Sequence, residues 1–140
     1  MSELKQNGAT PATRRRGLIY VVDDEPMLLE LATVILEHEG YVVKSFRDPE
    51  IALQTFANMR PRPIVLITDY AMHTMNGMEL IQGFRRLEPA QKIILVSGTV
   101  GEDVFGDSPV KPDRFLAKPY QANQLTGMVT ELVSELVEQR

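Results

Sequence analysis

The sequence predicts an α/β domain built on a parallel sheet with helices on both faces, and three observations carry the prediction. After residue 17, strand-like and helix-like patterns alternate five times, as they do when each strand is followed by a helical crossover. The strand-like runs are short and almost wholly apolar, which is required when helices cover both sheet faces. Acids or a lysine stand at the ends of several of these runs, and a parallel sheet gathers such ends along one edge.

Leu18-Ile19-Tyr20-Val21-Val22 is the first strand and runs directly into Asp23-Asp24. The first helix opens near Pro26, whose fixed φ suits an early helical position. Its apolar set is Met27, Leu28, Leu31, Val34, Ile35 and Leu36, and it ends at Gly40, which accepts a left-handed C-cap. Tyr41 to Phe46 forms the second strand, placed at an edge because Lys44 and Ser45 interrupt its apolar residues. Asp48-Pro49-Glu50 caps a second helix that turns Ile51, Leu53 and Phe56 inward. Ile64 to Thr68 is the third strand and leads into Asp69. The third helix follows Asn76-Gly77, with Met78, Leu80, Ile81, Phe84 and Leu87. Ile93 to Val96 is the fourth strand and leads into Ser97.

Gly98, Gly101, Gly106, Pro109 and Pro112 then punctuate the chain. Each costs a helix about 1 to 3 kcal/mol, so a fourth helix around Glu102 to Asp107 is short and weakly held. Arg114 to Ala117 is the fifth strand, ending at Lys118-Pro119. The last helix runs from about Gln121 to the C-terminus. Leu125, Met128, Val129, Leu132, Val133, Leu136 and Val137 make a wide stripe, read first as core-facing, with width left for a homodimer surface.

The 140 residues, 44% of them hydrophobic, suffice for one domain with one substantial core. Two segments are expected: a disordered basic leader over residues 1–17 and the folded domain over 18–140. The absence of cysteine excludes disulfides, thiolate metal sites and cysteine nucleophiles. No apolar run approaches the ~20 residues that span a bilayer, and the N-terminus has no secretory pattern, so the expected location is cytoplasmic and away from membranes. Net charge is −4, but residues 1–16 hold four bases and one acid, leaving 11 bases against 18 acids in the remainder. That balance argues against a nucleic-acid surface on the domain. Arg14-Arg15-Arg16 reads as part of a solvated leader.

Asp23, Asp24 and Asp69 gathered at one edge repel one another. Two carboxylates about 4.5 Å apart oppose each other by about 4 kcal/mol at an effective dielectric near 20. A divalent cation or Lys118 must offset that cost, or one acid must hold a proton.

Together these residues resemble the receiver domain of bacterial two-component response regulators, across residues 18–140. The resemblance rests on Asp23-Asp24 after strand one, Asp69 after strand three, Ser97-Gly98 after strand four and Lys118-Pro119 after strand five. The loop Met72-His73-Thr74-Met75-Asn76-Gly77-Met78-Glu79-Leu80 adds to it, being similar to the family's Met-Pro-x-Met-x-Gly-x-Glu-Leu. It implies a five-stranded parallel sheet of order 2-1-3-4-5, flavodoxin-like, which sets strands one and three side by side.

The resemblance further implies that Asp69 accepts a phosphoryl group from a phosphohistidine on a sensor histidine kinase or a histidine phosphotransfer protein. Magnesium is the implied cofactor, held by Asp24, Asp69 and the backbone carbonyl of Ala71, with Asp23 acting mostly through water. Lys118, Ser97 and the backbone N–H groups near Ala71 and Gly98 would hold the phosphoryl oxygens. The Lys118–Pro119 bond is expected to be cis. Ser97 and Phe115 form the implied switch that signals to a downstream protein; packing at the rim accounts equally well for Phe115.

With no DNA-binding region after residue 140, the domain is expected to stand alone and to catalyse only its own phosphorylation and dephosphorylation. Two departures stand out. His73 replaces the family's proline and is read as an exposed loop residue rather than a proton donor or an extra ligand, and the fourth helix is broken. His38, between Glu37 and Glu39, is read as surface. The competing classes are an interaction module that has lost phosphorylation and a magnesium-dependent phosphohydrolase with an aspartate nucleophile. The second expects Asp-x-Asp after strand one, where this chain has Asp23-Asp24-Glu25.

Overall fold

A computed structural model describes residues 16–138. Five strands, β1 (Leu18–Val22), β2 (Val42–Phe46), β3 (Val65–Asp69), β4 (Lys92–Ser97) and β5 (Arg114–Ala117), form one parallel sheet. Its order is β2-β1-β3-β4-β5, as the resemblance implies. The helices are α1 (Pro26–His38), α2 (Pro49–Asn58), α3 (Gly77–Leu87) and α4 (Ala122–Glu138), with a single 3-10 turn over Glu102–Phe105 in the fourth crossover. That turn is all the helix the Gly- and Pro-broken segment supports.

Alternation along the strands builds two cores. Ile19, Val21, Ile94 and Val96 face one way, against Leu29 and Leu36 of α1 and Leu125, Val129 and Leu132 of α4. Tyr20, Val22, Ile93 and Leu95 face the other, against Phe56 of α2 and Leu80, Ile81 and Phe84 of α3. The Phe56 and Phe84 rings stack at 4.2 Å, and Tyr20 meets each edge-on.

The inner faces of two helices differ from expectation. In α1, Leu29, Ala32 and Leu36 face the sheet, while Met27, Leu28, Leu31 and Val34 are exposed. In α2, Ala52 is buried and Ile51 is exposed. Small alanines let a helix approach the sheet, and helical geometry buries one stripe only, so additional apolar residues fall outside it. In α4, the core-facing residues are Leu125, Val129 and Leu132, and Val137 points to solvent.

The helix ends follow local chemistry. Gly40 adopts φ 98°, the left-handed conformation that closes α1. Asp48 accepts a bond from the Glu50 N–H, and Asn76 with Glu79 makes a reciprocal capping box at α3. The expected leader lies outside the described residues up to residue 15. Arg16 and Gly17 are held by the sheet edge: Arg16 N–H donates to Gly40 O at 3.0 Å, and Val42 N–H donates to Gly17 O at 2.9 Å.

Candidate functional site

Sheet order and register bring the acids together. Val22 pairs with Thr68 across β1 and β3, so Asp23 and Asp69 emerge next to each other at the following step. Backbone bonds pin both tips. Asp23 N–H donates to Phe46 O at 3.0 Å, and Tyr70 N–H donates to Val96 O at 2.9 Å. Thr68 Oγ1 donates to the Asp69 carbonyl at 2.9 Å. Asp23 Oδ1 accepts the Glu25 N–H at 2.9 Å, so this acid also secures the approach to α1.

Oxygens of Asp23, Asp24 and Asp69 all lie within 4.8 Å of one another. Lys118 Nζ reaches in from the far side of the site, 2.9 Å from Asp69 Oδ1 and 3.2 Å from Asp23 Oδ2. Its backbone is fixed by Lys118 N–H donating to Ser97 O at 2.8 Å, and the Lys118–Pro119 bond is cis.

Asp69 is only 8% exposed. Burial pushes its carboxyl above the ordinary range and the charge of Asp23 adds to the rise, although Lys118 pulls the other way. Burial works to lower the Lys118 ammonium, but its bonds to Asp69 and Asp23 and their charges outweigh burial, and the net shift is upward. One lysine therefore balances two of three acids.

Gly77 lets α3 begin against the acceptor strand. A β-carbon there would stand 2.5 Å from the Asp69 carbonyl oxygen and 2.7 Å from Leu95 Cδ1. Ala71 lies in the exposed loop between these elements. Ser97 is buried beside the site, but its Oγ is engaged by its own turn, accepting from Thr99 N–H at 3.1 Å and Val100 N–H at 3.0 Å. Gly98 follows it and lies against the Lys118 stem. Phe115 packs partly buried at the rim, its ring 6.1 Å from that of Phe105.

Two residues near the acids make contacts that the sequence did not predict. His73 is exposed, as expected, yet its Nδ1 stands 2.7 Å from Asp24 Oδ2. The replacement of proline in a loop motif was the available signal. Tyr120 packs against the α1–α4 core close enough to feel Lys118, Asp23 and Asp69; burial chiefly pushes its phenol upward. Only its position two residues after the lysine could have pointed to it.

A family model of the response regulator receiver domain matches residues 19–130. The nitrogen assimilation regulatory protein NtrX of Azorhizobium caulinodans is 32% identical over 124 residues, covering 87% of this chain and 27% of that protein. The DNA-binding response regulator MtrA of Mycolicibacterium smegmatis is 29% identical over 114 residues, covering 81% of this chain and 49% of MtrA. The chain thus spans between about a quarter and a half of these relatives' length.

Among solved structures, a CheY-like receiver domain protein from Methanospirillum hungatei JF-1 superposes with TM-score 0.79 at 26% identity, covering 88% of this chain and 98% of its own. The response regulator TrrA of Thermotoga maritima, solved in complex with Mg2+-BeF, gives TM-score 0.71 at 27% identity, covering 82% and 97%.

Proposed function

The chain belongs to the response regulator receiver-domain family, and we propose that it accepts a phosphoryl group on Asp69 and signals by a conformational shift to a protein partner. The observation that carries this reading is the Lys118 ammonium set between Asp69 and Asp23, with Asp24 completing the acid set. An Asp69 carboxylate oxygen attacks the phosphorus of a phosphohistidine on a sensor histidine kinase or histidine phosphotransfer protein. The new P–O bond forms as the P–N bond breaks, and the imidazole nitrogen leaves with the electron pair and takes up a proton. Lys118, already on Asp69, follows the charge to a phosphoryl oxygen, and Ser97 and the N–H groups near Ala71 and Gly98 take the others.

The donor set fits a hard cation: three carboxylates within 4.8 Å, all oxygen, with one lysine against three acids. Asp24, Asp69 and the Ala71 carbonyl would hold magnesium, with Asp23 joining through water. Bound there, the ion supplies positive charge that screens an anionic donor from an anionic nucleophile. For Ser97 to reach the phosphoryl group it must release the Thr99 and Val100 N–H groups, and Phe115 turns toward the space it leaves.

Among the described residues no helix is long and apolar enough to cross a membrane. We place the reaction in the cytoplasm with a protein, not nucleic acid, as the domain's own partner. Labelling by a phosphorylated histidine kinase in the presence of Mg2+ tests the assignment. The parent is expected to be labelled and Asp69→Asn to be blank; equal labelling of the two refutes Asp69 as acceptor.

A further inference from the structure

His73 stands where the acid set meets solvent. Its Nδ1 lies 2.7 Å from Asp24 Oδ2, and its side chain is 92% exposed. Among the described residues Asp24 is its one ion-pair partner. The loop that carries it is anchored on both sides. Met72 and Met75 pack against the core, Gly77 N–H donates to Tyr70 O at 2.8 Å, and the Asn76–Glu79 capping box closes the far end. The backbone therefore presents the exposed imidazole to Asp24.

At 2.7 Å the ring nitrogen and the carboxylate oxygen stand at hydrogen-bond distance. His73 stands outside the group of Asp23, Asp24 and Asp69 whose oxygens lie within 4.8 Å of one another, so to meet a cation held there its ring must give up this bond and turn toward the acids. The 92% exposure of the side chain leaves room for that movement.

We propose that His73 supplies a nitrogen ligand to the cation held by Asp24 and Asp69, so that the site accepts borderline transition ions such as Ni2+ or Co2+ as well as magnesium. The inference rests on the reading above that the acid set holds a divalent ion. Carboxylate and carbonyl oxygens suit hard ions, whereas imidazole gains affinity along the series from Mn2+ to Ni2+. One nitrogen at an otherwise all-oxygen site therefore adds selectively to the later ions and leaves magnesium, which keeps its waters, little changed.

Calorimetric titration of untagged protein with Ni2+ and with Mg2+ tests this on the parent, His73→Ala and His38→Ala. His38 is exposed near the end of α1 and controls for adventitious imidazole binding. His73→Ala is expected to weaken Ni2+ binding by about tenfold or more while Mg2+ affinity stays within about twofold. His38→Ala is expected to match the parent for both ions. Spin-echo spectra of the Mn2+-loaded parent should show nitrogen coupling that His73→Ala lacks. An equal loss for both ions, no loss for Ni2+, or the same loss in His38→Ala overturns the ligand role while the Mg2+ site stands. A parent that binds neither ion overturns the cation site itself, and this inference with it.

Discussion

Replacing Lys118 with alanine removes the lysine that bridges two of the three acids. Its ammonium lies 2.9 Å from Asp69 Oδ1 and 3.2 Å from Asp23 Oδ2. At an effective dielectric near 20 each contact carries a gross attraction of about 5 to 6 kcal/mol. Without it, carboxylates within 4.8 Å of one another oppose each other by at least about 3 kcal/mol per pair. Water entering the vacated space and the lysine's own desolvation cancel much of this. The expected loss of folding stability near neutral pH is about 2 to 4 kcal/mol.

The cost is electrostatic, so pH must change it. Asp69 already sits above its ordinary range in the parent, and removing Lys118 raises it further. A carboxyl raised in the folded state costs stability above its folded pKa, and the cost fades as pH falls through that value and the group takes up a proton. The lysine's own contribution has the opposite profile. With its folded pKa raised, it is fully present below the unfolded value and lost only as pH climbs through the folded one. Urea unfolding of parent and Lys118→Ala at pH 7.5 and pH 5.5, with and without Mg2+, measures the effect. The deficit should shrink at the lower pH and again with Mg2+. A deficit indifferent to both would mean that Lys118 acts by packing, and the charge-balance argument would fail.

Gly77→Ala should destabilise by about 2 kcal/mol or more, because the new methyl meets the Asp69 carbonyl at 2.5 Å; thermal melting reads the loss, and an unchanged melting temperature would refute the close approach. Asn76→Ala removes one half of the capping box at α3 and should cost about 1 kcal/mol in urea unfolding. Glu135 is held below the ordinary glutamate range by its bond from Arg114, then that from Lys92. Its contribution is therefore present above the unfolded glutamate pKa and lost as pH falls through the lowered one. Stability curves of parent and Glu135→Gln should differ slightly at neutral pH, converge in acid and draw together in high salt.

Much of the architecture was legible along the chain. Strand runs such as Leu18–Val22 are apolar throughout because both faces are covered, and that pattern needs no partner to be recognised. Pro26, Gly40 and Asn76-Gly77 mark helix ends through backbone chemistry local to a few residues. The weak fourth crossover follows from its glycines and prolines in the same way. The inward faces of α1 and α2 were less legible. The apolar residues of α1 outnumber what one stripe can bury, and the choice of Leu29 and Ala32 over Met27 and Leu31 depends on the sheet beneath.

The sequence by itself determined the kinds of element, their alternation, and the acids and lysine at the strand ends, because these follow from period, backbone restriction and residue chemistry within short windows. Tertiary structure alone decided the rest: that Lys118 bonds an acid 95 residues earlier in the chain, that Ser97 is held by Thr99 and Val100, and that His73 stands on Asp24. These are distances between side chains on separate elements. Sheet order, register and loop anchoring set them jointly, and no local pattern contains them.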